Sequence, residues 1–512
     1  MRKPNLLPRR TLRIPALLLG AALLATPLAA TATNAQEPNA APEPEPTTVA
    51  PDAALPPAVA PAAVVCNAHC DGRDAAEADT DRLAVGAELH GRTVELRFDD
   101  STAMGWATVS DSSPGDQVWL DRSFDGGATW ADDSRIGDTT TPGGANSAST
   151  PMFNVDNWDE RGVGALRACL QATGQPEITC TDWARSTWNA GEPATAAATA
   201  LMMRYDTDNG LFENHWWVSA NALTAVIDNI RVTGMPSYSY VMETTYEEQI
   251  DGADGQFRNE YLDDTGWWAL AWVGAYDLTG EERYLETARA GAEHMYSYWT
   301  DLCGGGVQWM VDNPYKNAVT NELYIQLNAA LHNRIPDDNV YLQRAEQGWA
   351  WLANSGMING DNLINDGLDA NNGCVNNGQT TWTYNQGIIL GALAELSEAN
   401  GDQGLLDTAR TLADASTTAP GLYQDGVLTE PCEPNCGADG PSFKGPYARG
   451  LGALNEALPD RPYTDYLQHQ ANAAYANART AIDMYDLSWR GLADSYGVGQ
   501  QHSALDLLNA AR

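Results

Sequence analysis

Two carboxylates side by side at the start of a predicted helix are the first place to look for chemistry in this chain. Asp263 and Asp264 stand in the segment NEYLDDTGWWALAWVGAYDLTG (Asn259 to Gly280), next to Trp267 and Trp268. A pair of acids in a cleft can hydrolyse a glycoside: one attacks the anomeric carbon and the other protonates the departing oxygen. Attack with retention needs the two carboxyl groups about 5–5.5 Å apart, a separation that neighbouring residues can reach. The acid partner must hold its proton near neutral pH, and a neighbouring anion raises its pKa. The same dipeptide has an ordinary structural use, because an Asp before a helix commonly caps the first free amides. Asp-Asp occurs four times, at Asp99, Asp132, Asp263 and Asp337. Asp337-Asp338, ahead of VYLQRAEQGW, reads as a cap. Spacing alone leaves Asp263-Asp264 open between capping and catalysis.

Other polar residues ahead of apolar helices pose the same choice. Trp382, Tyr384, Asn385 and Gln386 precede Ile388, Ile389, Leu390 and Leu393, and suit either a cleft rim that holds sugar hydroxyls or a helix cap. Asn321 and Glu322 open another apolar helix. Lys444, in SFKGPYARG, would bond a hydroxyl or pair with an acid such as Asp439. Trp216 and Trp217 suit sugar stacking or core packing. His294 and His332 lie on helical faces and read as structural. A G-x-S-x-G elbow, a P-loop and an H-E-x-x-H motif are absent from the sequence. Hydrolysis by two carboxylates requires no metal or organic cofactor, so none is expected.

These residues must be positioned by helices. From about residue 186 onward, ATAAATALMMRY, SANALTAVIDNIRVTG, ERYLETARAGAEHMYSYW, NELYIQLNAALHNR and GLLDTARTLADASTT all repeat apolar residues at three- and four-residue spacing. Gly or Asn closes several of these segments, as a left-handed C-cap requires. Thr279 with Glu282 fits a capping box for the following helix. Roughly eleven or twelve helices of similar length over residues 186–512 fit a mainly α architecture, an (α/α)6 toroid of six helical hairpins. Such a ring gathers one set of helix ends around a central cleft.

Residues 65–185 read differently. VELRFDD, GWATVSD and QVWLDRSF alternate apolar and polar residues, with turn residues between them, as a small β-sandwich does. SFDGGATW (Ser123 to Trp130) fits an Asp-box turn, in which Asp125 would bond turn amides and Trp130 would pack beneath. One copy reads as a structural turn, and glycan binding by this region stays open.

The chain begins with an address. Arg2, Lys3, Arg9, Arg10 and Arg13 precede an apolar stretch from Ile14 to Ala30 that Pro15 and Pro27 interrupt. Residues 1–35 are the pattern of a secretory signal peptide, and Arg9-Arg10 resembles a twin-arginine signal. Residues 36–64 hold eight prolines between Pro38 and Pro61 and read as an extended spacer. No later segment supplies about 18 uncharged apolar residues, so no membrane span is expected in the mature protein. Eight cysteines, all after the spacer, suggest local disulfides in an oxidising compartment: Cys66–Cys70, Cys169–Cys180, Cys303–Cys374 and Cys432–Cys436.

Of 512 residues, 68 are acidic and 29 basic, giving a formal net charge of −39. That balance argues against nucleic acid or an anionic membrane as partner, because phosphate binding needs clustered cations. Seventeen Trp and 20 Tyr against six Phe favour surfaces that offer an apolar face and a hydrogen-bonding edge, as sugars require.

Several segments together carry a resemblance. DDTGWWALAWVGAYDLTG resembles the signature of glycoside hydrolase family 76, the endo-α-1,6-mannanases. SANALTAVIDNIRVTG, CGGGVQWM (Cys303 to Met310), YKNAVTNELYIQLNAAL, WTYNQGIILGALAEL and SFKGPYARGL are similar to the same family in the same order. The resemblance spans nearly all of residues 190 to 512. It implies an (α/α)6 barrel and a retaining endo-hydrolase acting on α-mannan or a mannose-rich envelope glycan. It also implies a covalent glycosyl-enzyme, with Asp263 as nucleophile and Asp264 as general acid/base. On this reading Trp217, Trp267, Asn321, Glu322, Trp382, Tyr384, Asn385, Gln386 and Lys444 contact substrate. Two alternatives share the sequence: a cell-wall transglycosylase of the same fold, and a glycan-binding surface protein without catalysis.

Overall fold

The computed structural model describes residues 63–127, 134–186 and 192–512. The signal, most of the spacer and Trp130 of the Asp box lie outside the described residues. The described chain belongs to one unit, Ala58–Arg512.

The β region forms two antiparallel sheets. In one, β1 (Arg82–Leu89), β2 (Arg92–Asp99), β3 (Met104–Ser110) and β6 (Ser147–Ser149) lie in that order, with β7 (Phe153–Asn154) also on β3. In the other, the order is β5 (Arg135–Thr140), β4 (Gln117–Ser123), β8 (Ala165–Gln171) and β9 (Ile178–Cys180). Strand β2 shows why: Val94, Leu96 and Phe98 are buried while Glu95 and Arg97 face outward, the period of two of a pleated strand. Leu96 pairs with Ala107 and Leu120 with Ala168, and the inner faces of both sheets share one apolar core. At the Asp box, Ser123 Oγ accepts the amides of Asp125 and Gly127 and donates to Asp125 Oδ1 at 2.6 Å. The expected boundary at residue 186 falls between β9 and the first helix, yet the cores do not divide there. Val163 and Ala165 belong to the helical core, and the Arg161 guanidinium lies 4.4 Å over the Tyr240 ring.

Twelve α-helices follow among the described residues: α1 (Pro193–Met202), α2 (Trp216–Thr233), α3 (Tyr240–Gln249), α4 (Leu262–Thr279), α5 (Glu282–Ser297), α6 (Ala318–Arg334), α7 (Val340–Ser355), α8 (Thr383–Asn400), α9 (Gly404–Ser416), α10 (Lys444–Ala457), α11 (Thr464–Asn477) and α12 (Val498–Ala510). The even-numbered helices pack in sequence, and α12 closes on α2, giving the inner ring of an (α/α)6 toroid. Their sequences fit that place. Helix α8 buries every residue from Thr383 to Leu393 and α6 every residue from Ala318 to Ile325, as a helix covered on all sides must. Outer helices bury one stripe instead, as α5 does with Tyr284, Leu285, Ala288, Ala292 and Met295. Helices α8 and α10 touch at glycines: a Cβ on Gly450 would meet the Gly387 carbonyl at 1.9 Å, so no larger residue fits.

Left-handed glycines 234, 280, 356 and 401 end α2, α4, α7 and α8. The capping box expected at Thr279 and Glu282 does not form. Thr279 ends α4 and donates to the Ala275 carbonyl, and the N-cap of α5 is Glu281, which makes no side-chain cap. The Thr279 hydroxyl also accepts the Glu281 amide at 3.2 Å, so it bonds the linking turn and not the first turn of α5. All four expected disulfides are present, and no described cysteine is free.

Candidate active site

The N-termini of the inner helices share one mouth of the ring. A cavity of about 590 Å³ opens there. Its walls are Trp217 from α2 with His215 just ahead of it, Asp263, Asp264 and Trp267 from α4, Val319 from α6, Tyr384 from α8 and Pro446 from α10. Residues just ahead of those helices (Tyr261, Asn317, Asp439, Ser442, Phe443) and loop residues Trp309, Tyr315 and Asp366 complete it.

Asp263 and Asp264 are not ahead of α4 but inside its first turn, where the helix dipole favours carboxylates. Each has a dedicated donor. The Trp309 indole N–H donates to Asp263 Oδ2 at 3.1 Å, and the Asn259 amide donates to Asp264 Oδ2 at 2.7 Å. Trp309 is itself clamped to the helix start. Its carbonyl accepts the Leu262 amide at 2.9 Å, its amide donates to the Tyr315 carbonyl at 2.8 Å, and its ring packs 5.4 Å from that of Tyr261.

Burial dominates the electrostatics. Desolvation pushes Asp263 up to about 7, against its backbone amides and Trp309, with the charge of Asp439 adding to the rise. Asp264 is raised well above the carboxylate range, first by burial and then by the charge of Asp263, while Asn259 opposes. Both carboxyls are raised, and each one's charge favours the proton on the other, so the proton equilibrium belongs to the pair.

The opposite walls hold two more acids. Asp366 Oδ2 accepts the Tyr315 hydroxyl at 2.5 Å, and Asn377 donates to that hydroxyl at 2.8 Å. Asp439 Oδ1 accepts the Trp217 indole N–H at 3.1 Å. The Cys303–Cys374 disulfide ties the loop carrying Trp309 and Tyr315 to the loop carrying Asp366. Of the expected substrate contacts, Trp217, Trp267 and Tyr384 line the cavity. Tyr384 packs 4.2 Å from the Phe443 ring, and burial with nearby carboxylates holds its hydroxyl well above the usual phenol range.

The other expected contacts are placed elsewhere. Asn321 is buried and spends its amide on the Val307 backbone and the Asn317 carbonyl. Gln386 clamps Ile364 and the Trp382 carbonyl. Trp382 itself is the N-cap residue of α8 and packs beside Phe443. Both amide atoms of Asn385 and both carboxyl oxygens of Glu322 are sealed without hydrogen-bond partners. Burial, with Asp366 nearby, raises Glu322 well above the carboxylate range. Lys444 is buried and pairs with Glu433, not with Asp439. Its ammonium donates to Glu433 Oε1 and to the Leu487 carbonyl, both at 2.6 Å, and lies 4.5 Å over the Trp489 ring. Glu430 bonds the Thr383 amide and hydroxyl, so this buried acid holds the start of α8. At the start of an inner helix, polar side chains serve the loops as often as the cleft.

Sequence reasoning did not single out Trp309, Tyr315, Asp366, Asp439 or Asn259. Trp309 and Tyr315 lay inside matched segments, but nothing in their spacing showed which carboxylate they approach. Among the described residues, Asp121, Cys169 and Cys180 are grouped closely enough to hold a metal, and both cysteines are consumed by their disulfide.

A model described as glycosyl hydrolase family 76 matches residues 171–512, a span that begins at the end of β8. The chain is 28% identical over 337 residues to a mannan endo-1,6-alpha-mannosidase of Saccharomyces cerevisiae, covering 60% of this chain and 73% of that protein. The solved α-1,6-mannanase of a Salegentibacter species is 27% identical with a TM-score of 0.57, covering 62% of this chain and 98% of that one. An inactive variant of that mannanase, with two consecutive aspartates changed to alanine, was solved in complex with an α-1,6-linked mannotetraose. It superimposes with a TM-score of 0.57 at 25% identity, covering 62% of this chain and 97% of that one.

Proposed function

This chain belongs to glycosyl hydrolase family 76, and we propose that it is a secreted, retaining endo-hydrolase of α-1,6-linked mannan backbones. The observation that carries the reading is the pair of adjacent carboxyls on one cavity wall, each held by its own side-chain donor. Burial raises both carboxyls and the charge of one favours the proton on the other, so the pair shares a proton, with Asp263 in this reading the ionised nucleophile beside a protonated Asp264. Asp263 attacks the anomeric carbon while Asp264 gives its proton to the departing glycosidic oxygen. The covalent glycosyl-enzyme leaves Asp264 ionised, and Asp264 then takes a proton from the water that frees the sugar and regenerates Asp263. The Trp309 and Asn259 donors hold the two carboxyls in their separate orientations. Trp217, Trp267, Tyr384, Tyr315 and Asp366 are the side chains that face a sugar in this cavity. Asn321, Gln386, Trp382 and Lys444 act behind it, holding loops and helix starts.

The linkage and the endo mode rest on the relatives, which are named as acting on α-1,6-mannan, one of them inactive without two consecutive aspartates. Secretion rests on the N-terminal signal pattern and on four disulfides that leave no described thiol free.

The test is incubation with unbranched α-1,6-mannan, with chromatography of the products and NMR of the anomer formed first. Release of oligosaccharides with an α-anomer supports the proposal. Binding without release, or a β-anomer as first product, overturns it. Asp263→Asn and Asp264→Asn should each lower the rate by about three orders of magnitude or more, since each removes one covalent or proton-transfer role.

A further inference from the structure

The N-termini of α2, α4, α6, α8 and α10 line this cavity and make it attractive to anions. The chain fills that field with its own acids. Asp263, Asp264, Asp366 and Asp439 all line the cavity, and none of the lining residues is Lys or Arg. Two lysines follow the signal, and both are spent elsewhere. Lys316 bonds the Thr300 hydroxyl and the Gly306 carbonyl, and Lys444 bonds Glu433 and the Leu487 carbonyl. His215 is the one lining side chain able to carry a positive charge, and its ring packs 6.2 Å from that of Trp217.

Asp439 is the acid with the clearest station. It precedes α10, across the cavity from α4, and the Trp217 indole fixes one of its oxygens. Its charge reaches both members of the pair on α4, raising the proton affinity of each. The other groups of the walls that can carry charge are Asp366 from its loop, His215 at the N-cap of α2, and the phenols Tyr261, Tyr315 and Tyr384; Trp217, Trp309, Asn317 and Ser442 are polar but neutral. A sugar hydroxyl can donate to such acids. A phosphate or carboxylate meets like charge and finds no Lys or Arg among the lining residues.

We infer that this cavity selects uncharged glycans, and that Asp439 is a specificity-determining residue that excludes anionic substituents on sugars next to the scissile bond. The inference deepens the proposed function and rests on it for the identity of the neutral backbone. Asp439 neither attacks nor gives up the proton, and its effect on the proton affinities of the pair is common to both substrates compared below. It acts as a fixed charge on the wall facing the catalytic pair.

The experiment compares kcat/KM for neutral α-1,6-mannotetraose with that for the same tetraose carrying one phosphate monoester on an internal sugar, at low and high salt. In the native protein the phosphorylated substrate should be cut about tenfold less efficiently or worse, because like-charge juxtaposition is costly. Salt should narrow the gap. Asp439→Asn, which keeps an acceptor for Trp217, should narrow it by about threefold or more at low salt as one repulsive charge is removed. The ratio of two substrates on one protein is insensitive to loss of folded material. A native ratio near one, or a ratio that Asp439→Asn leaves unchanged, overturns the inference. If neutral tetraose is not cut, the hydrolase reading fails. The filter is then read from the affinities of the two tetraoses by calorimetry, where equal affinities overturn it and weaker binding of the phosphorylated one upholds it.

Discussion

Replacing Trp309 by Phe removes one N–H while leaving an aromatic ring against Tyr261. That N–H lies 3.1 Å from Asp263 Oδ2 and favours the ionised form of a carboxyl that burial has pushed up to about 7. A hydrogen bond to a charged group contributes about 1.5–3 kcal/mol, which is about one to two pKa units at about 1.4 kcal/mol each. The sign follows from the role. Asp263 must be ionised to attack, so activity rises with pH through its pKa. Loss of the donor raises that pKa and moves the ascending limb to higher pH. The expected result is a kcat/KM profile on unbranched α-1,6-mannan oligosaccharides whose ascending midpoint lies about one unit or more higher. Well below the native midpoint, the variant should then be about tenfold slower, with a smaller deficit on the plateau. A limb that stays in place while the rate falls would reduce Trp309 to a packing residue. A limb that moves to lower pH would refute the electrostatic reasoning outright.

Further outcomes follow from the buried acids, the caps and the disulfides. Glu322 is neutral when folded and ionises readily when unfolded, so the unfolded state binds fewer protons above the ordinary Glu pKa and native stability declines as pH rises. Relative to native protein, Glu322→Gln should gain up to about 1.4 kcal/mol per pH unit above roughly pH 4.5. Denaturant unfolding at pH 5 and pH 8 reads this, and an equal difference at both refutes it. Asp338, not Asp337, caps α7: its carboxyl accepts the amides of Val340, Tyr341 and Leu342 and pairs with His332. Asp338→Ala should cost about 0.5–2 kcal/mol of stability. Asp337→Asn, at a left-handed position (φ 57°) that Asn tolerates, should change stability and mannan cleavage little. Removing Cys303 and Cys374 together opens a loop of 71 residues. Chain entropy puts the cost at about 4 kcal/mol, read as a fall in melting temperature. The Trp309 and Asp366 loops lose their link, so mannan turnover should fall further than stability alone explains.

The polar residues at the helix starts show where reading the sequence reached its limit. Tyr384, Asn385 and Gln386 are consecutive, yet Tyr384 lines the cavity, Asn385 is sealed in the ring and Gln386 holds the Ile364 loop. A turn of helix rotates each neighbour by about 100 degrees, and the wall that each meets is set by helices far away in the chain. Asp439 belongs to the cavity because Trp217, over two hundred residues earlier, reaches it. Asp366 belongs because Tyr315 donates to it from another loop. Such pairings leave no periodic trace. Lys444 was legible as a cation for a hydroxyl or an acid, but its partner Glu433 was not, since Asp439 lies nearer in the sequence.

What the sequence settled unaided is what local physics controls. The apolar period of the helices, the alternation of the strands, the glycine C-caps and the short cysteine spacings each follow from backbone geometry within a few residues. Those regularities, repeated in order, announced the toroid and made the Asp263-Asp264 pair conspicuous. Tertiary structure alone decided which first-turn side chains face the cavity, which donors each aspartate receives, and that four acids share one mouth without a Lys or Arg among the lining residues. Those facts depend on how the six inner helices are rotated about their own axes when the ring closes, and that rotation is chosen by contacts between segments a hundred or more residues apart.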